Sequence, residues 1–411
     1  MTRTRTFVVG CGLTKFERAG SSRDWHELTE EALQTCMKDA NVDFMQHVDA
    51  AVVGYCYGEP TCGQRAIYSL GHKGIPVFNT NNNCSTGSSA IFLARTLIEA
   101  GSHQCVIALG FEKMQRHLSS VYTDRGWSSP LQKHYDHLYD QTTIAREPIA
   151  KGMNDWTSNV VKMFGEAALE HQKKYGTSDR HFAMISHKNH RHSVNNPYSK
   201  NRKEYTLEEI QGTGKLWGPL TSAQAAPTGD GAAAVLIVSQ DFLEEMMTDT
   251  ATSFDREKRS MISMCGTDMT REAAKKLYKA SGLRPRDVDV LEVHDCFSSN
   301  ELMVMEALGL CEEGRGGDLV EKGRWITNAG GGNHFLVGDR WVVNPSGGLE
   351  SKGHPISATG VAQCIELCWQ LRGEAGKRQV GGARVALQHN LGLGSAVVIT
   401  AYKRYETKAK L

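Results

Sequence analysis

A cysteine at the start of a predicted helix is the first residue of this chain that could do chemistry. Cys84 ends a polar run with three consecutive asparagines, and small residues follow it before apolar residues recur at helical spacing up to residue 100. Unpaired N–H groups and the partial positive charge of a helix N-terminus stabilise a thiolate. The sequence therefore predicts Cys84, in the first helical turn, to be a nucleophile with a lowered pKa. A buried structural cysteine is the alternative.

Three more loops carry residue types that acyl transfer requires. His294 and Cys296 follow a predicted buried strand, and His354 precedes a predicted helix. Asn390 and Gly392 lie where a later strand is predicted to end. A single histidine after a strand is more often structural. Together with the first cysteine, however, these loops offer two thiols, imidazoles and close-approaching backbone, which are the parts of a covalent acyl-transfer site.

The elements that must position these loops form two similar halves. The helix, short link and strand around residues 24–54 return in similar form around residues 272–290, and residues 229–238 resemble residues 392–400. Strands that alternate with helices favour mostly parallel sheets, so the repeat predicts a duplicated α/β architecture. A long polar segment belongs to neither copy and is predicted to be an inserted loop domain. The predicted divisions are residues 1–118, completed by about 223–245, then the loop domain at 119–222, then 246–411.

Five basic residues cluster in the second part of this loop domain. They could bind an anion such as the phosphates of a phosphorylated cofactor, and a solvated helix end is the alternative. A glycine-rich stretch, residues 323–340, is predicted to be a mobile surface loop. The basic cluster consists of Lys188, Arg191, Lys200, Arg202 and Lys203.

The composition excludes several classes of function. A net charge of +1 gives no electrostatic attraction to nucleic acid, and no apolar run reaches the length of a membrane span. The 11 cysteines lack metal-ligand spacing, so we expect free thiols in a reducing compartment and no metal site. The last residues, Ala409, Lys410 and Leu411, resemble the Ser-Lys-Leu address. They predict a peroxisome-type organelle and its import receptor, with a mitochondrion as the alternative.

The four loops, their order and the duplicated halves resemble the thiolase superfamily over nearly the whole chain. His-Asp-Cys-Phe at residues 294–297 and His-Asn-Leu-Gly at residues 389–392 resemble in particular the 3-ketoacyl-CoA thiolases of the sterol carrier protein x type. Ordinary thiolases carry Asn-Glu-Ala-Phe and Cys-x-Gly there, so their second catalytic cysteine is absent, and the resemblance implies that Cys296 replaces it. It also implies a five-layered α-β-α-β-α fold, a homodimer, and CoA as co-substrate without a bound cofactor.

The resemblance further implies cleavage of a 3-ketoacyl-CoA by CoA, giving acetyl-CoA or propionyl-CoA and a shortened acyl-CoA. Cys84 would carry the acyl group and His354 would be its base. Cys296 would protonate the enolate and later deprotonate CoA. His294 and His354 would stabilise the enolate, and the N–H groups of Cys84 and Gly392 the tetrahedral intermediate.

Asn390 takes the place usually held by a cysteine, and an amide does not ionise near neutral pH. It is therefore expected to orient its loop and not to transfer protons. Two alternatives to the thiolase remain open: a condensing synthase of the same fold, and a catalytically silent CoA- or lipid-binding scaffold. Because the chain stops soon after its last predicted strand, no fused sterol carrier domain is expected.

Overall fold

A computed structural model describes most of the chain. The described residues are 5–21, 23–114, 159–239, 247–251, 260–328, 331–393 and 396–405. The predicted domain boundaries near residues 118 and 246, and the C-terminal tripeptide, lie outside them.

The strands form two large sheets and one short ribbon. In chain order the described strands are β1 (Thr6–Leu13), β2 (Glu17–Arg18), β3 (Ala50–Gly54), β4 (Val77–Thr80), β5 (Cys105–Glu112), β6 (Lys215–Trp217), β7 (Leu220–Thr221), β8 (Gly229–Ser239), β9 (Met247–Ala251), β10 (Val290–Glu292), β11 (Arg324–Thr327), β12 (Asn333–Val337), β13 (Trp341–Val343), β14 (Val385–Gly392) and β15 (Ala396–Lys403). The first sheet has the order β1-β8-β5-β3-β4, with β2 paired to β8, and the second has the order β11-β12-β13-β10-β14-β15-β9. In each sheet a central strand, β3 or β10, pairs in parallel with both of its neighbours.

Several of the described helices begin at a residue whose side chain caps the first turn. In chain order the described helices are α1 (Trp25–Ala40), α2 (Phe44–His47), α3 (Cys62–Tyr68), α4 (Thr86–Glu99), α5 (Asn159–Tyr175), α6 (Asp179–Ser193), α7 (Leu207–Gly212), α8 (Met261–Met264), α9 (Thr267–Ser281), α10 (Ser298–Ala307), α11 (Gly316–Glu321), α12 (Gly348–Lys352) and α13 (Thr359–Arg372). Asp24 and Glu27 form a capping box at the start of α1, and Asn41 ends that helix at φ 52°. Among the described residues, none of the helices combines the length and apolar character that crossing a membrane requires.

The alternation of side chains in the first sheet produces the layers. Ala50 and Val52 of β3 pack in one core cluster with α4 and α13, whereas Ala51 and Val53 pack in another with α1 and α3. Helix α13 lies between the sheets, because it contacts β5 and β8 on one side and β10 and β14 on the other, and α4 packs beside α13 on β5 and β3. Helix α9 covers the far side of the second sheet. The five-layered fold expected from the sequence is therefore confirmed.

The glycine-rich stretch at residues 323–340 forms a β-hairpin, whereas the sequence predicted a mobile loop. Strands β11 and β12 extend the second sheet next to β13. On the hairpin, Trp325 packs against Phe335 and lies under the guanidinium of Arg191, 4.0 Å from the ring centroid. The N–H of Phe335 also donates to His192 Nε2 at 3.0 Å. The hairpin is therefore bound to α6 of the predicted loop domain.

Candidate active site

Cys84 lies in the turn between β4 and α4, two residues before the helix begins at Thr86. Asn83 precedes it in a left-handed conformation (φ 48°), which asparagine tolerates better than most residues. The thiol is half-buried, and the backbone N–H groups of Cys84 and Leu393 donate to its sulfur. Cys84 thus lies just before the first helical turn in which the sequence placed it.

The pKa of Cys84 is raised, which is the opposite of the prediction. Burial is the largest cause, and the negative charge of Glu112 adds to it, while the N–H groups of Cys84 and Leu393 lower the pKa. The net result is a pKa of about 12. Because the thiol is protonated at neutral pH, a nucleophilic role requires a neighbouring base.

His354 offers that base in the required tautomer. Its Nδ1 lies 2.8 Å from Thr359 Oγ1, and that hydroxyl donates its hydrogen to Pro355 O at 3.1 Å. Thr359 must therefore accept from Nδ1–H, which leaves Nε2 unprotonated. This Nε2 is buried without a hydrogen-bond partner in the described part of the chain. Burial lowers the pKa of His354 to about 3, so the ring is neutral and its Nε2 carries no proton at neutral pH.

His294 offers a hydrogen-bond donor instead. Asn390 Nδ2 lies 3.0 Å from its Nδ1, and an amide nitrogen only donates, so the hydrogen of the neutral ring is on Nε2. Burial, assisted by His354 and His389, holds the pKa of His294 well below its usual value. A neutral N–H in a site without bulk water stabilises negative charge that develops on a nearby oxygen.

The structure brings three of the predicted residues together. The Cys84 sulfur and one ring nitrogen each of His294 and His354 lie within 4.8 Å of one another. The two rings stand edge to face, with centroids 5.3 Å apart and an interplanar angle of 76°. These are also ligand types of zinc sites. The hydrogen on His294 Nε2, however, makes the trio an acid–base arrangement and not a prepared metal site.

Cys296 supplies the second thiol, on the loop after β10. It is 8% exposed, and burial raises its pKa well above the usual value. The charges of Cys84, Cys265 and Asp295 raise it further, so Cys84 and Cys296 are close enough to interact electrostatically. A protonated thiol at this place can donate a proton, and the thiolate left behind is a strong base.

One segment before β8 forms hydrogen bonds with both the Cys296 loop and the His354 loop. The N–H of Ala226 donates to Cys296 O at 2.8 Å, and the N–H of His354 donates to Pro227 O at 3.0 Å. Isolated bridges also join Ala225 to Phe297 and residue 228 to residue 354. Backbone hydrogen bonds therefore set the position of the acidic thiol relative to the basic imidazole.

Gly392 is required by a close approach. A Cβ at this position would lie 2.1 Å from Asn82 O and 2.5 Å from Ser85 Oγ, so β14 reaches the Cys84 turn only with glycine here. The proposed oxyanion donors, the N–H groups of Cys84 and Gly392, remain a prediction. Asn390 lies in the same strand and contacts His294, so it orients a histidine and not only its own loop.

The structure contradicts a phosphate-binding role for Lys188. Its side chain is 1% exposed and forms an ion pair with Glu301 at 2.7 Å. Its ammonium also donates to Val343 O at 3.0 Å. A run of charges on a helix is typical of a solvent-exposed face. In α6, however, Lys188 points into the core, where a carboxylate compensates its charge.

The other four residues of the basic cluster lie nearer the surface but point in different directions. Arg191 is half-buried over Trp325, and Lys200 is half-buried and donates to Thr228 O at 2.9 Å. Both are therefore largely occupied by internal contacts. The residues that remain exposed to solution anions are Arg202 and Lys203.

Sequence reasoning missed Glu112, at the end of β5. Its carboxylate accepts from Tyr57 N at 2.9 Å, from Cys56 N at 3.2 Å and from Ser357 Oγ at 2.8 Å. It thereby joins the loop after β3 to the loop that carries His354. These partners lie 55, 56 and 245 residues away in sequence, so no local motif marks this glutamate.

The raised pKa of Cys84 predicts slow alkylation of the free protein by iodoacetamide. From about pH 6 to about pH 10 the rate at Cys84 should rise roughly tenfold per pH unit, because only the thiolate reacts. Peptide mass spectrometry at a series of pH values measures it. Burial raises the pKa of Glu112 to about 7, so Glu112→Gln removes a negative charge above that pH and should increase the rate there. A plateau near neutral pH would instead show a resting thiolate–imidazolium pair.

Comparisons with known proteins show the family to which this chain belongs. The thiolase N-terminal domain model matches residues 6–241, and the thiolase C-terminal domain-like model matches residues 251–401. Human sterol carrier protein 2 is 52% identical over 426 residues, which cover 98% of this chain and 72% of that protein. Acetyl-CoA acetyltransferase of Methanothermobacter thermautotrophicus is 32% identical, covering 97% of this chain and 99% of that protein.

A solved structure shows the same fold. Human mitochondrial 3-ketoacyl-CoA thiolase in complex with CoA superimposes with a TM-score of 0.69 at 18% identity, covering 98% of each chain. At this identity the likeness concerns the fold alone, whereas the family models and the relatives cover both halves and all four loops. The chain therefore belongs to the thiolase family of acyltransferases.

Proposed function

We propose that this protein is a 3-ketoacyl-CoA thiolase of fatty-acid β-oxidation. It would cleave a 3-ketoacyl-CoA with CoA into acetyl-CoA, or propionyl-CoA, and a shortened acyl-CoA. The observation that carries the proposal is the pairing of a protonated Cys84 with a neutral His354 whose Nε2 has no partner among the described residues. The names of the relatives and of the solved thiolase–CoA complex support the same class of substrate.

The first half of the reaction uses both thiols. Cys84 loses its proton to His354 Nε2 and its sulfur attacks the 3-keto carbon. The C2–C3 bond then breaks, and the electrons form an enolate whose oxygen accepts from His294 Nε2–H. Cys296 gives its proton to C2, acetyl-CoA leaves, and an acyl thioester remains on Cys84.

The second half returns every proton. The Cys296 thiolate removes the proton of the CoA thiol, and the CoA sulfur attacks the acyl carbon. Cys84 leaves as a thiolate and recovers its proton from His354. No redox change occurs, so no resident cofactor is required and CoA serves as co-substrate.

A single assay separates this proposal from its alternatives. The protein is mixed with acetoacetyl-CoA or 3-ketooctanoyl-CoA, and loss of the enolate absorbance is followed with and without CoA. A thiolase consumes the substrate only with CoA. It forms one acetyl-CoA for each 3-ketooctanoyl-CoA cleaved and two for each acetoacetyl-CoA. Turnover that requires a malonyl donor would indicate the condensing synthase, and binding without turnover the silent scaffold. Asn390 gives little support to the condensing synthase, because its amide already contacts the His294 ring.

We propose that Arg202 and Lys203 contribute to binding the CoA phosphates. Both side chains are exposed; Arg202 donates to Val194 O at 2.8 Å, and Lys203 forms an ion pair with Glu209 at 3.5 Å. Replacing both with alanine should raise KM for CoA, more strongly at low ionic strength, because salt screens charge. Lys275→Ala removes an equally exposed lysine on α9 and should leave KM unchanged. If both changes have the same effect, the cluster is only a solvated surface.

A homodimer and peroxisomal import complete the proposal. Strand β4 is an edge strand of the described first sheet and carries Phe78, which is 38% exposed. We expect β4 to meet a second copy there, so Phe78→Asp should lower the molar mass measured by light scattering.

A reporter that carries the last dozen residues tests whether Ala409–Leu411 direct peroxisomal import, and mitochondrial uptake of the full chain would favour the alternative. The division into two halves and a loop domain at 119–222 also remains part of the proposal.

A further inference from the structure

A continuous series of buried hydrogen bonds runs from β15 to the active-site histidine. Tyr402 OH donates to Gln388 Oε1 at 2.5 Å, and Gln388 Nε2 donates to Ser88 Oγ at 2.8 Å. Ser88 Oγ donates to Asn390 Oδ1 at 2.9 Å, and Asn390 Nδ2 donates to His294 Nδ1 at 3.0 Å. All five residues are at most 3% exposed. Their polar groups therefore depend on one another and not on bulk water.

The direction of this series is determined by a backbone carbonyl. Gln388 Nε2 also lies 2.6 Å from Gly360 O, which can only accept, so this end of the side chain is the NH₂ group. Its second hydrogen points to Ser88 Oγ, which leaves the hydroxyl hydrogen of Ser88 for Asn390. With the Asn390 amide reversed, both amides would donate to Ser88. The hydroxyl hydrogen of Ser88 would then have no acceptor among the described residues.

We propose that Ser88, Gln388 and Tyr402 are positioning residues that hold His294, through Asn390, with its hydrogen on Nε2. The two tautomers of a neutral imidazole are selected by the partner of the other nitrogen. An Nδ1 that accepts from Asn390 leaves the N–H on Nε2, in a ring with a nitrogen within 4.8 Å of the Cys84 sulfur. The reversed tautomer would present a lone pair to the enolate oxygen and repel it. The kinetic consequence rests on the proposed thiolase reaction, whereas the tautomer is a property of the free protein.

The series also crosses from one half of the chain to the other. Ser88 is in α4, and its partners Gln388 and Asn390 are 300 and 302 residues away. The crossing needs a close approach of α13, since a Cβ at Gly360 would lie 2.3 Å from Ser88 Oγ and 2.7 Å from Asn390 Oδ1. The donor at His294 is therefore set only when the two halves are packed together.

The test compares Ser88→Ala with a matched control, Ser299→Ala. Ser299 is also buried, in α10. Its replacement removes one hydrogen bond, which the Ser299 hydroxyl donates to Phe164 O at 3.2 Å. Protein labelled with ¹⁵N in its histidine rings reports the tautomer by long-range ¹H–¹⁵N spectra, and His294→Gln identifies the signal. We expect hydrogen on Nε2 in the wild type and in Ser299→Ala. In Ser88→Ala we expect a shift toward the Nδ1–H form.

Kinetics supply the second measurement. Ser88→Ala should lower kcat for thiolysis by about 10-fold to 100-fold with little change in KM, because a transition-state donor is weakened. Ser299→Ala should keep both values. Tyr402→Phe, which removes only the distant hydroxyl, tests the same series if Ser88→Ala does not fold. Hydrogen on Nδ1 of His294 in the wild type would overturn the inference, as would an unchanged His294 tautomer in both Ser88→Ala and Tyr402→Phe. A wild type without thiolysis but with the expected tautomer shift would refute the thiolase proposal and leave this one standing.

Discussion

Replacing Cys84 with alanine should lower thiolysis by about 10⁴- to 10⁶-fold, because the acyl group then has no sulfur to which it can be transferred. The fold should be retained, since the side chain is half-buried and only a sulfur is removed. Brief exposure of the wild type to a 3-ketoacyl-CoA without CoA should leave an acyl adduct on Cys84. Peptide mass spectrometry locates it, and the variant should show none.

Cys311→Ala is the matched control for this experiment. It also carries a half-buried thiol whose pKa burial raises to about 12, but it lies in the link between α10 and α11. Loss of Cys311 should change neither turnover nor the adduct. An adduct on Cys296 alone would exchange the roles assigned to the two catalytic thiols.

Replacing Cys296 with alanine should lower turnover by about 10²- to 10⁴-fold, the usual loss for an acid or base. Acylation of Cys84 by an acyl-CoA should persist, because the nucleophile and His354 remain. Deacylation by CoA should then be slow, so the acyl-enzyme accumulates. Rapid-quench mass spectrometry follows the acylated fraction over time.

Cys265→Ala controls for the loss of a buried sulfur near the same place. Cys265 is 2% exposed, and its charge raises the pKa of Cys296. If packing alone mattered, both variants would lose activity alike. Near-normal thiolysis by Cys296→Ala would direct attention to His389 or to a bound water as the proton carrier.

The four loops of the candidate site could be predicted because local patterns determine them. A buried strand followed by His294 and Cys296, and a polar turn followed by the small residues after Cys84, each mark a place where a strand ends and a helix begins. The duplication then indicates that the loops of both halves meet at one place.

What could not be predicted depends on neighbours that are distant in sequence. The sequence predicts a helix start at Cys84, which would lower the pKa of its thiol. Burial and the charge of Glu112 raise that pKa by more. Lys188 belongs to a charged run, yet its counter-charge Glu301 is on another helix. The hydrogen on His294 likewise depends on Ser88, in the other half of the chain. Each of these properties appears only when the packed neighbours are known.

The segment at residues 225–228 has a consequence for how this duplicated chain can be divided. It belongs to the first half, yet it binds the backbone of Cys296 and His354, which belong to the second. A second half produced alone would contain the acid and the base but would lack the segment that sets their spacing. Two separately expressed halves should therefore be inactive until mixed. The two halves are therefore complementary parts of one site, and neither should act independently.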